Sequence, residues 1–258
     1  MYPVLFRIEG FTFYSYGLLA LSGTLAALAV GALNARRAGL GVSKSLEAAL
    51  FAIVVGFVGA RALYVLVEWH YYREYSGQIP YAWDGGLVFF GGVLLSVPLT
   101  WFYARRVARV DAGALFDAFT PGLALGHALG RIGCFLNGCC YGMPCNLPWA
   151  VRFTDPQSLA NPMFELHPTQ LYEAGVLFAL FAWFFARFRR SGPDGGRLFA
   201  EYLVYYSVAR IFLEFYRGDS RGGVGPFSTS MFLGALILGA ALLILKKTGI
   251  RKISERVK

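Results

Sequence analysis

In GHALGRIGCFLNGCCYG (126–142), His127 and Arg131 stand four residues apart in an otherwise apolar run that also holds three of the chain's four cysteines. Two more stretches repeat the pattern. Arg61, Tyr64 and Glu68 are spaced i, i+3, i+7, and Arg210, Glu214 and Arg217 are spaced i, i+4, i+7. On a helix each set falls on one face. Arginines outnumber carboxylates in these stripes, and a guanidinium without a carboxylate partner calls for an anionic ligand. Its planar fork matches phosphate in a bidentate fashion. The chemistry to expect is therefore binding, and stabilisation during reaction, of a phosphate-bearing molecule.

The elements that must hold these residues are set by the solvent. Of 258 residues, 57% are hydrophobic and only 15% charged, against about a quarter charged in soluble domains. A membrane-crossing helix needs roughly 20 mostly apolar residues. Seven stretches qualify: 14–33, 46–67, 86–103, 114–136, 169–186, 198–216 and 229–245. The expectation is an all-α, polytopic membrane protein of seven transmembrane helices forming a single integral domain over 1–258. Residues 1–13 lack a basic leader and a small-residue cleavage site, so the first span is expected to be retained, with this segment lying along the membrane interface.

Ionisable groups at membrane depth are costly and normally face a protein interior or a wet cavity, so the three stripes mark where function is expected. Asp117 falls about 40° around the helix from Arg131 by the 3.6-residue period and joins that stripe.

Charge in the connections gives an orientation. Arg36, Arg37 and Lys44 against Glu47 leave 34–47 at +2, and Arg105, Arg106 and Arg109 against Asp111 do the same for 105–111. Segment 187–197 is +3 and the tail 246–258 is +5, whereas 68–84 is −2, 137–168 is −1 and 217–227 is +1. Basic connections face the cytoplasm, which places the N-terminus outside, the C-terminus inside, and the 130–142 segment at the outer end of span four. The net charge of +9 then reflects topology and attraction to anionic membrane lipids, with no nucleic-acid partner.

Glycines crowd the polar spans. Gly122, Gly126 and Gly130 are four apart, a spacing that lets helices approach closely. Gly138 and Gly142 fall past the helix end and are expected to shape a turn whose N–H groups face a ligand. The cysteines, in the order C-x4-C-C-x4-C (134, 139, 140, 145), depart from zinc spacing, since adjacent cysteines do not easily share an ion. A disulfide from Cys145 to Cys139 or Cys140 stays open on an oxidising outer face. Thiol-redox catalysis lacks C-x-x-C spacing, and Cys134 reads as a small apolar helix residue. No metal or cofactor is expected. In HPTQLYEA (167–174), Pro168 suits a first helical turn with Thr169 or His167 as cap. Gln170 and Glu173 share a face near the depth of Arg131, and His167 is a candidate proton carrier.

YGLL (16–19), GARALYVL (59–66), WDGGLVFFGG (83–92), GRIGCFLNGCCYG (130–142), HPTQLYE (167–173) and ARIFLEFYRGD (209–219) resemble, in order and over nearly the whole chain, the blocks of the bacterial prolipoprotein diacylglyceryl transferase family. The resemblance implies transfer of the diacylglyceryl group of phosphatidylglycerol to the lipobox cysteine of a prolipoprotein signal peptide. Glycerol phosphate would leave at the outer face of the bacterial inner membrane. It also implies that the family's essential arginine is Arg131 and its second is Arg210, with Gly142 closing the signature and Tyr16 in the first block. Two departures stand out. Phe90 occupies the position of a histidine in many members, which moves any base role elsewhere, with His127 as candidate. Gly133 to Cys139 replaces a G-N-F-I-N-G-E pattern, keeping only Asn137 of its two asparagines.

Such a reaction needs a thiolate nucleophile and cations for the charge on the departing phosphate. The expected catalytic residues are Arg131, Arg210 and His127, with His167 as the alternative base. The expected substrate contacts are Arg131, Tyr16, Arg61, Tyr64, Asn137, Gly142, His167, Gln170, Glu214 and Arg217. A two-tailed lipid and a helical signal segment require a cavity open sideways to the bilayer. An anionic-solute transporter would instead show inverted repeats, and none is evident. A related membrane lipid transferase with another acceptor is the nearer rival.

Overall fold

A computed structural model describes residues 2–9, 11–82, 85–219, 223, 224 and 227–256, with side chains for all of these except 223, 224, 227 and 247–256. Its α-helices are α1 (Ser15–Arg37), α2 (Val42–Val67), α3 (Trp69–Glu74), α4 (Phe89–Tyr103), α5 (Ala112–Asn137), α6 (Thr169–Ser191), α7 (Arg197–Glu214) and α8 (Thr229–Arg256). Each of the seven apolar stretches expected from the sequence coincides with a helix. By length and composition α1, α2, α6 and the Thr229–Lys246 part of α8 can cross a membrane. The others fall short for identifiable reasons. Helix α4 has 15 residues with Pro98 inside it and runs into a π-turn, Ala104–Ala108. Helix α5 carries Asp117, His127 and Arg131, and α7 is 18 residues long with several charges.

The chain is not wholly helical. Val4–Ile8 (β1) and Phe11–Tyr14 (β2) pair as an antiparallel hairpin, as their aromatic and β-branched residues favour. A second, two-residue pair, β3 (Gly223–Val224) and β4 (Phe227–Ser228), precedes α8. Leu5, Phe6, Ile8, Phe11 and Phe13 of the first hairpin are all exposed. The hairpin is fastened to α1 by the Ser15 hydroxyl and N–H, which donate to the carbonyls of Tyr2 and Pro3.

Helix α5 is central, packing on α1, α6 and α7, while α2 pairs with α4 and α7 with α8. Two seams bring backbone against backbone. A Cβ on Gly126 would meet the Gly23 carbonyl at 2.7 Å, and one on Gly122 the Ala27 carbonyl at 2.4 Å. Between α2 and α4, Gly59 and Gly91 meet in the same way, at 2.5 and 2.3 Å. The glycine spacing is thus a packing device. The core between α1, α5, α6 and α7 is apolar, built on Ala35, Ala118, Ala124, Ala128, Leu177, Phe184, Leu198 and Tyr202.

Asp117 belongs to the opposite end of α5 from Arg131. Fourteen residues separate them, about 21 Å of helix rise, so a shared face does not bring them together. Its buried carboxylate accepts the N–H groups of Asp194, Gly196 and Phe199 (2.7, 2.9 and 3.1 Å) and ties the α6–α7 turn to α5.

Candidate functional site

The site grows from the C-terminal part of α5 and its neighbours. His127 and Arg131 lie one turn apart, as their spacing requires, and face Glu173 on the second turn of α6. Arg131 Nε stands 3.0 Å from Glu173 Oε1, and His127 Nε2 stands 3.9 Å from the same oxygen. Helix α7 completes the centre. The Tyr206 hydroxyl donates to Glu173 Oε1 at 2.8 Å, and the Tyr202 hydroxyl lies 3.3 Å from His127 Nδ1. Glu173 is 1% exposed, and its second oxygen, Oε2, has no hydrogen-bond partner among the described residues.

Arg210 lies one turn beyond Tyr206 on α7 and is 5% exposed. Its Nη1 pairs with Glu214 Oε2 at 2.6 Å and its Nη2 donates to Ser230 of α8 at 3.2 Å. It lies within electrostatic reach of both His127 and Glu173. Arg131 thus contacts the buried histidine–carboxylate pair directly, while Arg210, from a second helix, acts on it only over a longer electrostatic range.

The expectation of unpaired arginines needs correction. Arg131, Arg210 and Arg217 each have a carboxylate, the last through Asp219 at 2.9 Å from both Nε and Nη2. A buried cation left bare would cost several kcal/mol, so the fold balances each one internally. Beyond the end of α7, burial disfavours the charge on Arg217, but the Asp219 carboxylate outweighs it and holds the guanidinium above its ordinary range. The pairing of Arg131 is nevertheless partial. Its Nε sits 3.0 Å from Glu173 Oε1 as an ion pair that lacks hydrogen-bond geometry, and among the described residues no hydrogen bond engages its two Nη nitrogens.

The chain leaves α5 through Gly138, whose left-handed φ of 68° closes the helix. Its N–H and that of Gly142 do not face a ligand. They donate to the Phe135 and His167 carbonyls. Gly142 sits where three segments cross, paired with Arg217, and a Cβ there would come within 2.5 Å of His167 Cβ and 2.7 Å of the Tyr216 carbonyl. His167 belongs to this crossing, its Nδ1 lying 3.2 Å from the Tyr172 hydroxyl. Pro168, not Thr169 or His167, occupies the N-cap of α6, and it makes no side-chain cap. Thr169 and Gln170 instead donate to the carbonyls of Cys140 (3.0 Å) and Cys139 (2.7 Å).

No disulfide joins the four cysteines. The sulfurs of Cys134, Cys139 and Cys140 lie within 4.8 Å of one another, a convergence that the C-x4-C-C spacing did not announce. The Cys139 thiol donates to the Cys134 carbonyl, and Asn137 lies nearby. A hydrogen bond with Cys134 favours the Cys139 thiolate, but the neighbouring Cys140 thiol and burial outweigh it and raise the group above its ordinary range. Tyr16, on α1, lies within electrostatic reach of Arg131 and of all three thiols.

Arg61 and Tyr64 stand apart, and no hydrogen bond or ion pair joins them to the Arg131 centre among the described residues. Arg61 donates to five carbonyls, those of Gln78, Ile79, Tyr81, Gly85 and Gly86, at 2.7 to 3.1 Å. Its guanidinium also lies over the Tyr64 and Tyr72 rings. With Gln78 and Tyr81 they line a cavity of about 360 Å³.

Glu173, Tyr202 and Tyr206 are the central residues that sequence reasoning missed as site residues. Glu173 had a signal, its i, i+3 register with Gln170. The tyrosines, two aromatics in an aromatic-rich helix, had none.

Fold and site together define a class, a helical membrane protein whose buried centre sets two arginines around a histidine and a carboxylate. The sequence pattern of the family described as "Prolipoprotein diacylglyceryl transferase" matches residues 3–246. The phosphatidylglycerol–prolipoprotein diacylglyceryl transferase of Clostridium tetani is 32% identical over 98% of this chain and 100% of its own length. Those of Geobacillus kaustophilus (33% identity; 95% of this chain, 92% of the relative) and Finegoldia magna (32%; 98% and 99%) are similarly close. The chain belongs to the prolipoprotein diacylglyceryl transferase family. It is a membrane-bound transferase.

Proposed function

We propose that this chain transfers the diacylglyceryl group of phosphatidylglycerol to the lipobox cysteine of a prolipoprotein signal peptide, with Arg131 and Arg210 holding the lipid phosphate. One observation carries the reading: the Arg131 guanidinium is held by an ion pair, Nε 3.0 Å from Glu173 Oε1, and among the described residues no hydrogen bond engages its Nη fork. That is the geometry in which a guanidinium is oriented yet able to take a bidentate phosphate. The thiolate sulfur attacks the diacylglyceryl carbon next to the phosphate oxygen. The C–O bond breaks, a C–S bond forms, and glycerol phosphate departs with the electron pair. Arg131 and Arg210 take up its growing charge.

His127 is the base in this reading, accepting the thiol proton. Its imidazole is bracketed by Glu173 and Tyr202, and Phe89, beside the Phe90 position where many members have histidine, lies 6.2 Å from it, centroid to centroid. Tyr16, Asn137, Gly142, Gln170, Glu214 and Arg217 frame the headgroup side, with His167, Arg61 and Tyr64 further out.

The seven long helices are read as seven spans of one integral domain, N-terminus outside, in the bacterial inner membrane, with the site toward the outer face. The alternation of basic and acidic connections supports this orientation, and the exposed apolar residues of the β1–β2 hairpin suit the outer interface.

Incubating the purified protein with phosphatidylglycerol and a lipobox peptide, then weighing the peptide, tests the function. A diacylglyceryl mass on the cysteine is expected. An unmodified peptide with glycerol phosphate still released would mean a different acceptor.

A further inference from the structure

We propose that Cys134, Cys139 and Cys140 form a tris-thiolate binding site for a soft d10 cation, Zn(II) or Cu(I), beside the arginine centre. Three sulfurs within 4.8 Å of one another need to close by about 1 Å at most to reach the separation of about 3.8 Å set by Zn–S bonds near 2.3 Å. The turn that presents them is built rather than loose. Cys140 holds a left-handed φ of 65°, a conformation costly for a residue with a Cβ. It sets the adjacent thiols of Cys139 and Cys140 toward the same neighbour, which is how consecutive cysteines come to share one point. The carbonyls of both residues are fixed by Gln170 and Thr169, the kind of surrounding support that orients metal ligands.

Arg217 and Arg131 both lie near these sulfurs, the first beside Cys140 and the second within electrostatic reach of Cys134 and Cys140. Burial and the neighbouring sulfurs disfavour free thiolates here, so it is the bound cation that draws off the thiol protons. Thiolate sulfur selects Zn(II) and Cu(I) over harder ions. Cys139 and Cys140 are partly exposed and give the ion a path to the buried Cys134. Binding displaces the thiol protons to solvent as each S–metal bond forms. No electron transfer is involved. The site stands whether or not the chain lipidates prolipoproteins, because its test needs no lipid.

The reduced full-length protein in detergent, without oxygen, is loaded with Zn(II) or Cu(I) and treated with a thiol-alkylating reagent, and each cysteine is then weighed by peptide mass. With either ion, Cys139 and Cys140 are expected to lose reactivity while Cys145 keeps it, and a chelator alone should restore them. Affinity should fall at least tenfold in Cys134→Ser and stay unchanged in Cys145→Ser. Unprotected thiols with both ions, protection that spreads to Cys145, or protection that only a reductant reverses, as a disulfide requires, would overturn the site. So would unchanged affinity in Cys134→Ser. The alkylation pattern of the unaltered chain decides the matter if that variant fails to fold.

Discussion

Arg61 and Arg131 occupy similar stripes in the sequence, each a lone guanidinium in an apolar helix with a tyrosine or histidine one turn away. They end in opposite situations. Arg61 spends its fork on five backbone carbonyls of the 78–86 loop, so it shapes the chain that follows α3. Arg131 makes an ion pair with Glu173 and, among the described residues, no side-chain hydrogen bond. What separates an arginine that organises backbone from one able to receive a ligand is the number of donors the fold has already consumed.

Replacing Arg131 by Ala is expected to give the largest effect. It should lower the lipidation rate by about 10² to 10³-fold or more, as removal of a single charge-stabilising donor does, with insertion intact, and the peptide mass assay reads it. Arg131→Lys should recover little, because a point charge cannot reproduce the fork. Glu173→Gln comes next. It leaves Arg131 and His127 without their counter-charge and lets the fork drift, a displacement worth up to about 10²-fold in rate. The buried cation also lowers the thermal unfolding midpoint of the variant. Gly142→Ala should destabilise by about 1–3 kcal/mol through the clash at the three-segment crossing, read in a denaturation assay. Arg61→Ala should leave lipidation within about tenfold, yet raise protease cleavage between residues 78 and 86, where exposed backbone loses its partner. A fall for Arg61→Ala as deep as for Arg131→Ala would erase the distinction between the two.

The positions of the seven long helices were legible because apolar runs of that length have few other solutions. His127 with Arg131, and Arg210 with Glu214, were legible because i, i+4 spacing alone fixes a shared face. Depth was less so, and Asp117 shows why: angular position repeats along a helix, so a common face says nothing about which end a residue serves. The crossing of Gly142 with His167 and Arg217, and the five carbonyls around Arg61, join segments far apart in sequence, and no local pattern encodes them. Cys139 and Cys140 could not be predicted to converge, since the left-handed turn that aims them is an uncommon choice for a residue other than glycine.

The glycine seams have a consequence for traffic. Helices α1 and α5 touch backbone to backbone, as do α2 and α4, so neither pair can part to admit an acyl chain without breaking its tightest contacts. The two pairs meet each other far more lightly, and His127 and Phe89 face one another across that boundary. If helices separate to admit a two-tailed molecule, the parting is expected along this lightly packed boundary, with the imidazole beside it, rather than within either seam.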